Sequence, residues 1–147
     1  MADESAEELF TISTGRIVAS HSNCRALLTG DQRHIPDDFI HEIGIRGGVV
    51  GLNLYTHFLA EHRRATVEDI LPHVIHVSEV MGRRTGVALG SDADGGFAPP
   101  ELPEGLDHPS RFGVLAEALA GMGWPDAEVE GFTHGKGLRF LREALPE

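Results

Sequence analysis

Three short apolar runs, each followed by a helix-like stretch, restrict this chain to an α/β architecture with parallel strands. Ile17-Val-Ala19, Val49-Val-Gly-Leu-Asn-Leu54 and Gly86-Val-Ala-Leu-Gly90 start at spacings of roughly 30 to 40 residues, the rhythm of successive right-handed βα units. The second run is almost continuously apolar, as expected for a parallel strand covered on both faces. Residues 37–45 predict a helix with Phe39, Ile40 and Ile43 on one side and Gly47-Gly48 as its stop. Residues 66–75 carry the clearest periodicity: Val67, Ile70, Leu71, Val74 and Ile75 form a stripe behind an N-cap at Thr66. Pro72 inside that stripe predicts a kink or a late start. Ser5-Ala-Glu-Glu8 has capping-box spacing for a short first helix, with Ala6, Leu9, Phe10 and Ser13 on one face. Residues 111–122 predict a further helix. Residues 126–132 and 136–145 predict two short closing helices, split at Gly135 and Gly137.

The strand ends carry the chemistry. Gly86-Val-Ala-Leu-Gly-Ser-Asp-Ala-Asp-Gly-Gly96 stops on Asp92 and Asp94 above a glycine-rich loop, and Arg16-Ile-Val-Ala-Ser-His-Ser22 ends on His21. Carboxylates and histidines at strand ends are how α/β folds present reactive groups. Read alone, His21 is either a metal ligand or a hydrogen-bonded histidine, and Asp92 either a proton carrier or a loop cap. Asp94 is expected to accept backbone bonds in the turn.

Composition narrows the partners. A net charge of −11 offers no basic stripe to phosphates and argues against nucleic acid. Cys24 is the lone cysteine, which excludes an intramolecular disulfide and fits a reducing compartment. No apolar run approaches the roughly 20 residues of a membrane span, and the acidic N-terminus lacks a secretory pattern. A soluble, cytoplasmic chain folding as a single domain over residues 1–147 is the expectation.

Several motifs resolve to ordinary roles. The Asp92 run fails as a calcium loop, which needs Gly at its sixth position and Glu at its twelfth; Phe97 and Pro103 stand there. Gly135-Lys136-Gly137 fails as a phosphate loop because Glu130 occupies the place of the first glycine. The helical phase of His73 and His76 is read as a solvated face, His134 as a loop histidine and Trp124 as part of a hydrophobic turn.

Four segments together resemble the C-terminal part of the membrane (renal) dipeptidase family, zinc peptidases of the amidohydrolase superfamily. They are Val18-Ala-Ser-His-Ser-Asn23, Arg33-His-Ile-Pro-Asp37, Gly47-Gly-Val-Val-Gly-Leu-Asn-Leu-Tyr55 and Leu89-Gly-Ser-Asp-Ala-Asp-Gly95. Pro103-Glu-Gly-Leu106 and Gly137-Leu-Arg-Phe-Leu-Arg-Glu143 extend the match over almost the whole chain. Ala93 replaces a common aromatic and Gly135-Lys136 a typical Gly-Asn pair.

The resemblance implies a zinc-dependent hydrolase of dipeptides with two zinc ions on a (βα)8, or TIM, barrel. It implies that His21 ligates zinc, that Asp92 handles the proton of the attacking water, and that Arg33 clamps the substrate carboxylate. Asn53 and Tyr55 end the second strand, where they either line the substrate pocket or pack. A full barrel takes about 250 residues, so the expected fold is a partial barrel of about three C-terminal βα units plus terminal helices. The family's other metal ligands belong to earlier strands, and one zinc histidine would fall immediately before Met1. The alternative expectation is an inactive remnant or split-enzyme subunit that pairs with an N-terminal half chain or with itself.

Overall fold

A computed structural model describes residues 3–28, 32–93, 95–96 and 98–145. Asp94 and Phe97 lie outside the described residues. Three strands, β1 (Val18–Ala19), β2 (Val49–Leu52) and β3 (Val87–Leu89), form a parallel sheet in the order β1-β2-β3. Val18 pairs with Val49, and Val50 pairs with Val87. All four residues of β2 are buried, because it is the central strand and helices α2 (Asp37–Ile45) and α3 (Val67–Val80) both pack on it.

Backbone crowding at the strand ends fixes two glycines. The chain leaving β1 places the Ser20 carbonyl oxygen over both Gly51 and Gly90, so that a Cβ on either would overlap it. Gly90 also lies so close to β2 that its Cβ would stand 3.0 Å from Gly51 Cα. Small residues here let the His21-bearing segment lie directly against the sheet.

The helices form largely where the sequence places them. Helix α2 has the expected bounds and buries Phe39, Ile40 and Ile43. Its stop comes through Gly47 at φ +71, a conformation that favours glycine. Helix α3 starts at Val67 behind a Thr66/Asp69 capping box, so Pro72 does not delay it. The proline removes the donor that would reach the Glu68 carbonyl. Helix α1 (Asp3–Ile12) begins earlier than the Ser5 box implies, placing Ser5 inside the helix. It docks through Phe10, whose ring lies 5.1 Å from Phe39, and through Arg46, which donates to the Phe10 carbonyl at 2.7 Å. Helix α4 (Gly113–Gly121) follows a 3-10 turn at Pro109–Arg111.

The expected split between the closing helices does not occur. Helix α5 (Asp126–Glu130) runs into α6 (Lys136–Ala144) through one π-helical turn, Gly131–Gly135. Glu130, Gly131, Gly135 and Lys136 all keep right-handed helical dihedrals. The wide turn absorbs the glycines without breaking the helix. It buries Phe132 against β3, while Lys136 Nζ donates to the Arg84 carbonyl at 2.8 Å. His134 therefore sits on a helical turn rather than in a loop, with Nδ1 3.0 Å from Thr133 Oγ1. Trp124 is buried, and the Arg84 guanidinium lies 5.0 Å from its ring centroid. Among the described residues no helix is long and apolar enough to cross a membrane.

Candidate functional site

The site lies past the C-terminal ends of β1, β2 and β3. Ser22 still pairs with the sheet, its N–H donating to the Gly51 carbonyl at 2.7 Å, so His21 is held where the strand lets go. The His21 side chain is exposed, with Nδ1 2.7 Å from Ser20 Oγ. In the tautomer that puts the proton on Nδ1, this bond leaves the Nε2 lone pair outward, the arrangement of a ligating histidine.

Arg33 comes to the same place from the following loop. One Nη donates to the His21 carbonyl at 2.9 Å, and the guanidinium carbon lies 5.0 Å from the Phe58 ring centroid. His21 and Arg33 both line a cleft of about 370 Å³ between α1, β1 and α2. The bidentate pairing of Arg25 with Asp3, at 2.7 and 2.8 Å, ties α1 to this loop. Hydrogen bonding from Arg25 holds the Asp3 carboxyl below its ordinary range.

Asn53, Tyr55 and Asp92 form a second group. Asn53 is fully buried. Its Nδ2 donates to Asp92 Oδ2 at 2.8 Å, and its Oδ1 accepts from the Tyr55 N–H at 2.6 Å. Asp92 is half-buried and has φ +57, an uncommon conformation for a residue with a Cβ. Tyr55 is half-buried, its hydroxyl 3.4 Å from Glu101 Oε1 and its ring 4.9 Å from Phe58.

Two residues that the sequence did not single out join the groups. Asn23 is buried, and its Oδ1 accepts from the Asn53 N–H at 3.0 Å. Its Nδ2 donates to the carbonyls of Asn53 and Phe58 at 3.1 and 2.9 Å. Phe58 contacts Arg33, Tyr55 and the edge of His34. The only available signal was the position of Asn23 two residues beyond His21, since nothing in Thr56-His-Phe58 marks it in sequence.

His73 corrects the phase reading of α3. It is buried rather than solvated, because it shares the face of Ile70, Val74 and Val77. Its Nδ1 accepts from the Cys24 N–H at 3.0 Å, anchoring the loop that carries His21 and Arg33. His76 is partly covered and pairs with Asp37 at 2.7 Å. Burial of Cys24 pushes its thiol up to about 12, which leaves it an inert packing group.

Burial, reinforced by the rings of His34 and His76, lowers His73 to about 4 from an ordinary 6.5. Asp69 acts weakly in the opposite direction. Between those pH values the unfolded chain binds a proton here that the folded chain refuses. The stability contribution is thus complete above pH 6.5 and is lost as pH falls towards 4, by about 3 kcal/mol. Urea midpoints at neutral and acidic pH check this. His73→Gln, which retains an acceptor for Cys24, is expected to lose most of the dependence; an unchanged dependence would place the titration elsewhere.

Catalytic zinc ordinarily takes three protein ligands. Among the described residues, no group of three or more His, Cys, Asp or Glu side chains could hold a metal ion. The described residues therefore do not build a metal centre by themselves.

Residues 1–145 match the family model of membrane dipeptidases, peptidase family M19. Dipeptidase 3 of Macaca fascicularis is 28% identical over 143 residues, covering 97% of this chain and 28% of that protein. An uncharacterized dipeptidase of Schizosaccharomyces pombe is 31% identical over 134 residues, covering 89% of this chain and 30% of its own length. A metallo peptidase from Rhodobacter sphaeroides, liganded with a phosphinate mimic of the dipeptide L-Ala-D-Ala, superposes with a TM-score of 0.85 at 26% identity. That match covers 97% of this chain and 40% of the other. The chain spans less than a third of the length of these two sequence relatives. With the family model matched over residues 1–145 and the strands superposing on those of a metallo peptidase, this chain belongs to the membrane dipeptidase family of metallopeptidases, peptidase family M19.

Proposed function

We propose that this chain supplies the C-terminal strands of a zinc-dependent dipeptidase barrel and three of its working residues. The observation that carries this reading is the placement of His21 and Asp92 past the C-terminal ends of parallel strands in one sheet, where barrel enzymes build their sites. In a complete two-zinc centre His21 would offer one ligand, and the metal would supply activation of the attacking water. Arg33 pairs its guanidinium with the free carboxylate of a dipeptide. Asp92, held through Oδ2 by Asn53, takes a proton from the attacking water and returns it to the leaving amine nitrogen. Tyr55 borders the substrate.

One ligand is not a centre, and in this reading the remaining ligands come from polypeptide beyond these residues, contiguous or separate. The sheet order supports it, since β1 is an edge strand with Val18 44% exposed, and parallel edges are ordinarily covered.

The test is zinc content by elemental analysis of chelator-washed, zinc-reloaded chain, together with hydrolysis of L-Ala-D-Ala and L-Ala-L-Ala. The isolated chain is expected to retain no stoichiometric zinc and to hydrolyse neither dipeptide. Polypeptide carrying the missing ligands is expected to restore both properties. Two tightly held zinc ions in the chain alone would overturn the incomplete site. Zinc held equally by a complemented His21→Ala variant would overturn the ligand role of His21.

A further inference from the structure

We propose that Asn53 is a positioning residue that fixes the rotamer of Asp92 and locks its strand end to that of His21, and that it is not a contact for substrate. The inference rests on the reading of Asp92 as the proton carrier. Asn53 is 0% exposed, so no substrate atom reaches it without rearrangement.

Each polar group of Asn53 is already engaged inside the protein. Its N–H and carbonyl are bound to the Asn23 amide at 3.0 and 3.1 Å. Its Oδ1 accepts from the Tyr55 N–H at 2.6 Å, and its Nδ2 donates to Asp92 Oδ2 at 2.8 Å. The orientation of the amide follows from this set. A backbone N–H can only donate, so the oxygen must face Tyr55, and the nitrogen is left to face the carboxylate. Ionised carboxylates only accept, so the donor end is the end that Asp92 can use.

Two further features make this bond a device for placement. Asp92 has φ +57, a strained conformation that persists only when its surroundings determine it. The bond to Asn53 and the Gly95 N–H donating to the Asp92 carbonyl at 2.9 Å supply that determination. A Cβ on Gly95 would stand 2.6 Å from Asp92 Oδ1. With Oδ2 held by Asn53, glycine at 95 leaves Oδ1 the space in which to exchange a proton. Asn23 completes the frame: it lies two residues past His21 and grips the Asn53 backbone from both sides. This buried amide pair acts together with the bonds from Ser22 N–H to the Gly51 carbonyl and from Leu54 N–H to the Ser91 carbonyl in fixing His21 relative to Asp92.

The test is NMR on the 147-residue chain, reading the Hα–Hβ couplings of Asp92 and the exchange of the Tyr55 N–H. In the native chain one large and one small coupling are expected, the signature of a single staggered rotamer. Asn53→Asp keeps an acceptor for Tyr55 but puts oxygen where Nδ2 was. It is expected to average the Asp92 couplings while the Tyr55 N–H stays protected. Combining Asn53→Asp with Asp92→Asn reverses the direction of the bond and is expected to restore a single rotamer. If Asn53→Asp does not fold, Asp92→Ala reads the same bond from the other side, through at least tenfold faster exchange of the Asn53 Nδ2 protons. An unchanged Asp92 rotamer in Asn53→Asp, or unchanged exchange in Asp92→Ala, would overturn the proposal. The proton-carrier reading fails separately, if Asp92→Asn leaves dipeptide hydrolysis intact.

Discussion

Replacing Gly90 by alanine is expected to destabilise the chain by roughly 3 kcal/mol or more. The new methyl group would overlap the Ser20 carbonyl oxygen and crowd the backbone of Gly51. Both obstacles are backbone, and neither can turn away as a flexible side chain can. Relief requires separating β2 from β3 or lifting the Ser20–His21 segment off the sheet, and either movement breaks ladder bonds such as Gly90 N–H to the Leu52 carbonyl at 3.0 Å. Urea unfolding reads the effect directly. Gly137→Ala is the control: it lies within α6, where a Cβ meets nothing within 4 Å. Exchanging glycine for alanine inside a helix is expected to stabilise by about 0.5 to 1 kcal/mol. Equal midpoints for Gly90→Ala and the native chain would mean that Ser20 does not overlie the sheet in solution.

Asp92→Asn is the second large effect. In a preparation that hydrolyses dipeptides, it is expected to lower kcat by about 10²- to 10⁴-fold with little change in KM. The replacement is nearly isosteric, and its amide oxygen still accepts from Asn53 Nδ2, so the loop geometry survives. What disappears is the carboxylate that takes and returns the proton. Arg33→Ala is expected to behave in the opposite way, raising KM more than it lowers kcat, because the carboxylate clamp acts on bound substrate throughout. Steady-state kinetics on the two variants separate the roles. A KM effect at Asp92, with kcat retained, would make it a binding group instead.

Much of the architecture was legible because it follows from local patterns. The continuous apolar run at Val49–Leu52 gave the buried central strand, and the Phe39, Ile40, Ile43 stripe before Gly47 gave the bounds of α2. His21 and Asp92 stood out because each closes an apolar run. The phase of α3 was misread at His73 because a polar residue can occupy a core position once it is paired. Its partner, the Cys24 N–H, is 49 residues away. The glycines at 135 and 137 suggested a break, yet one π turn holds the helix together by burying Phe132 and capturing Lys136.

What the sequence by itself determined is the alternation of strand and helix, the family, and the types of reactive group at the strand ends. The alternation follows from periodicity, the family from the resemblance of short segments, and the reactive groups from residues that close apolar runs. Only the tertiary structure decided that Asn53 faces Asp92, that Asn23 grips Asn53, and that Phe58 stands between Arg33 and Tyr55. Those relations join residues 30 to 39 positions apart across strands or place side chains from separate loops together. Hydrogen bonds and ring contacts of that kind depend on register and on a few ångströms of backbone position. No local pattern in the chain encodes them.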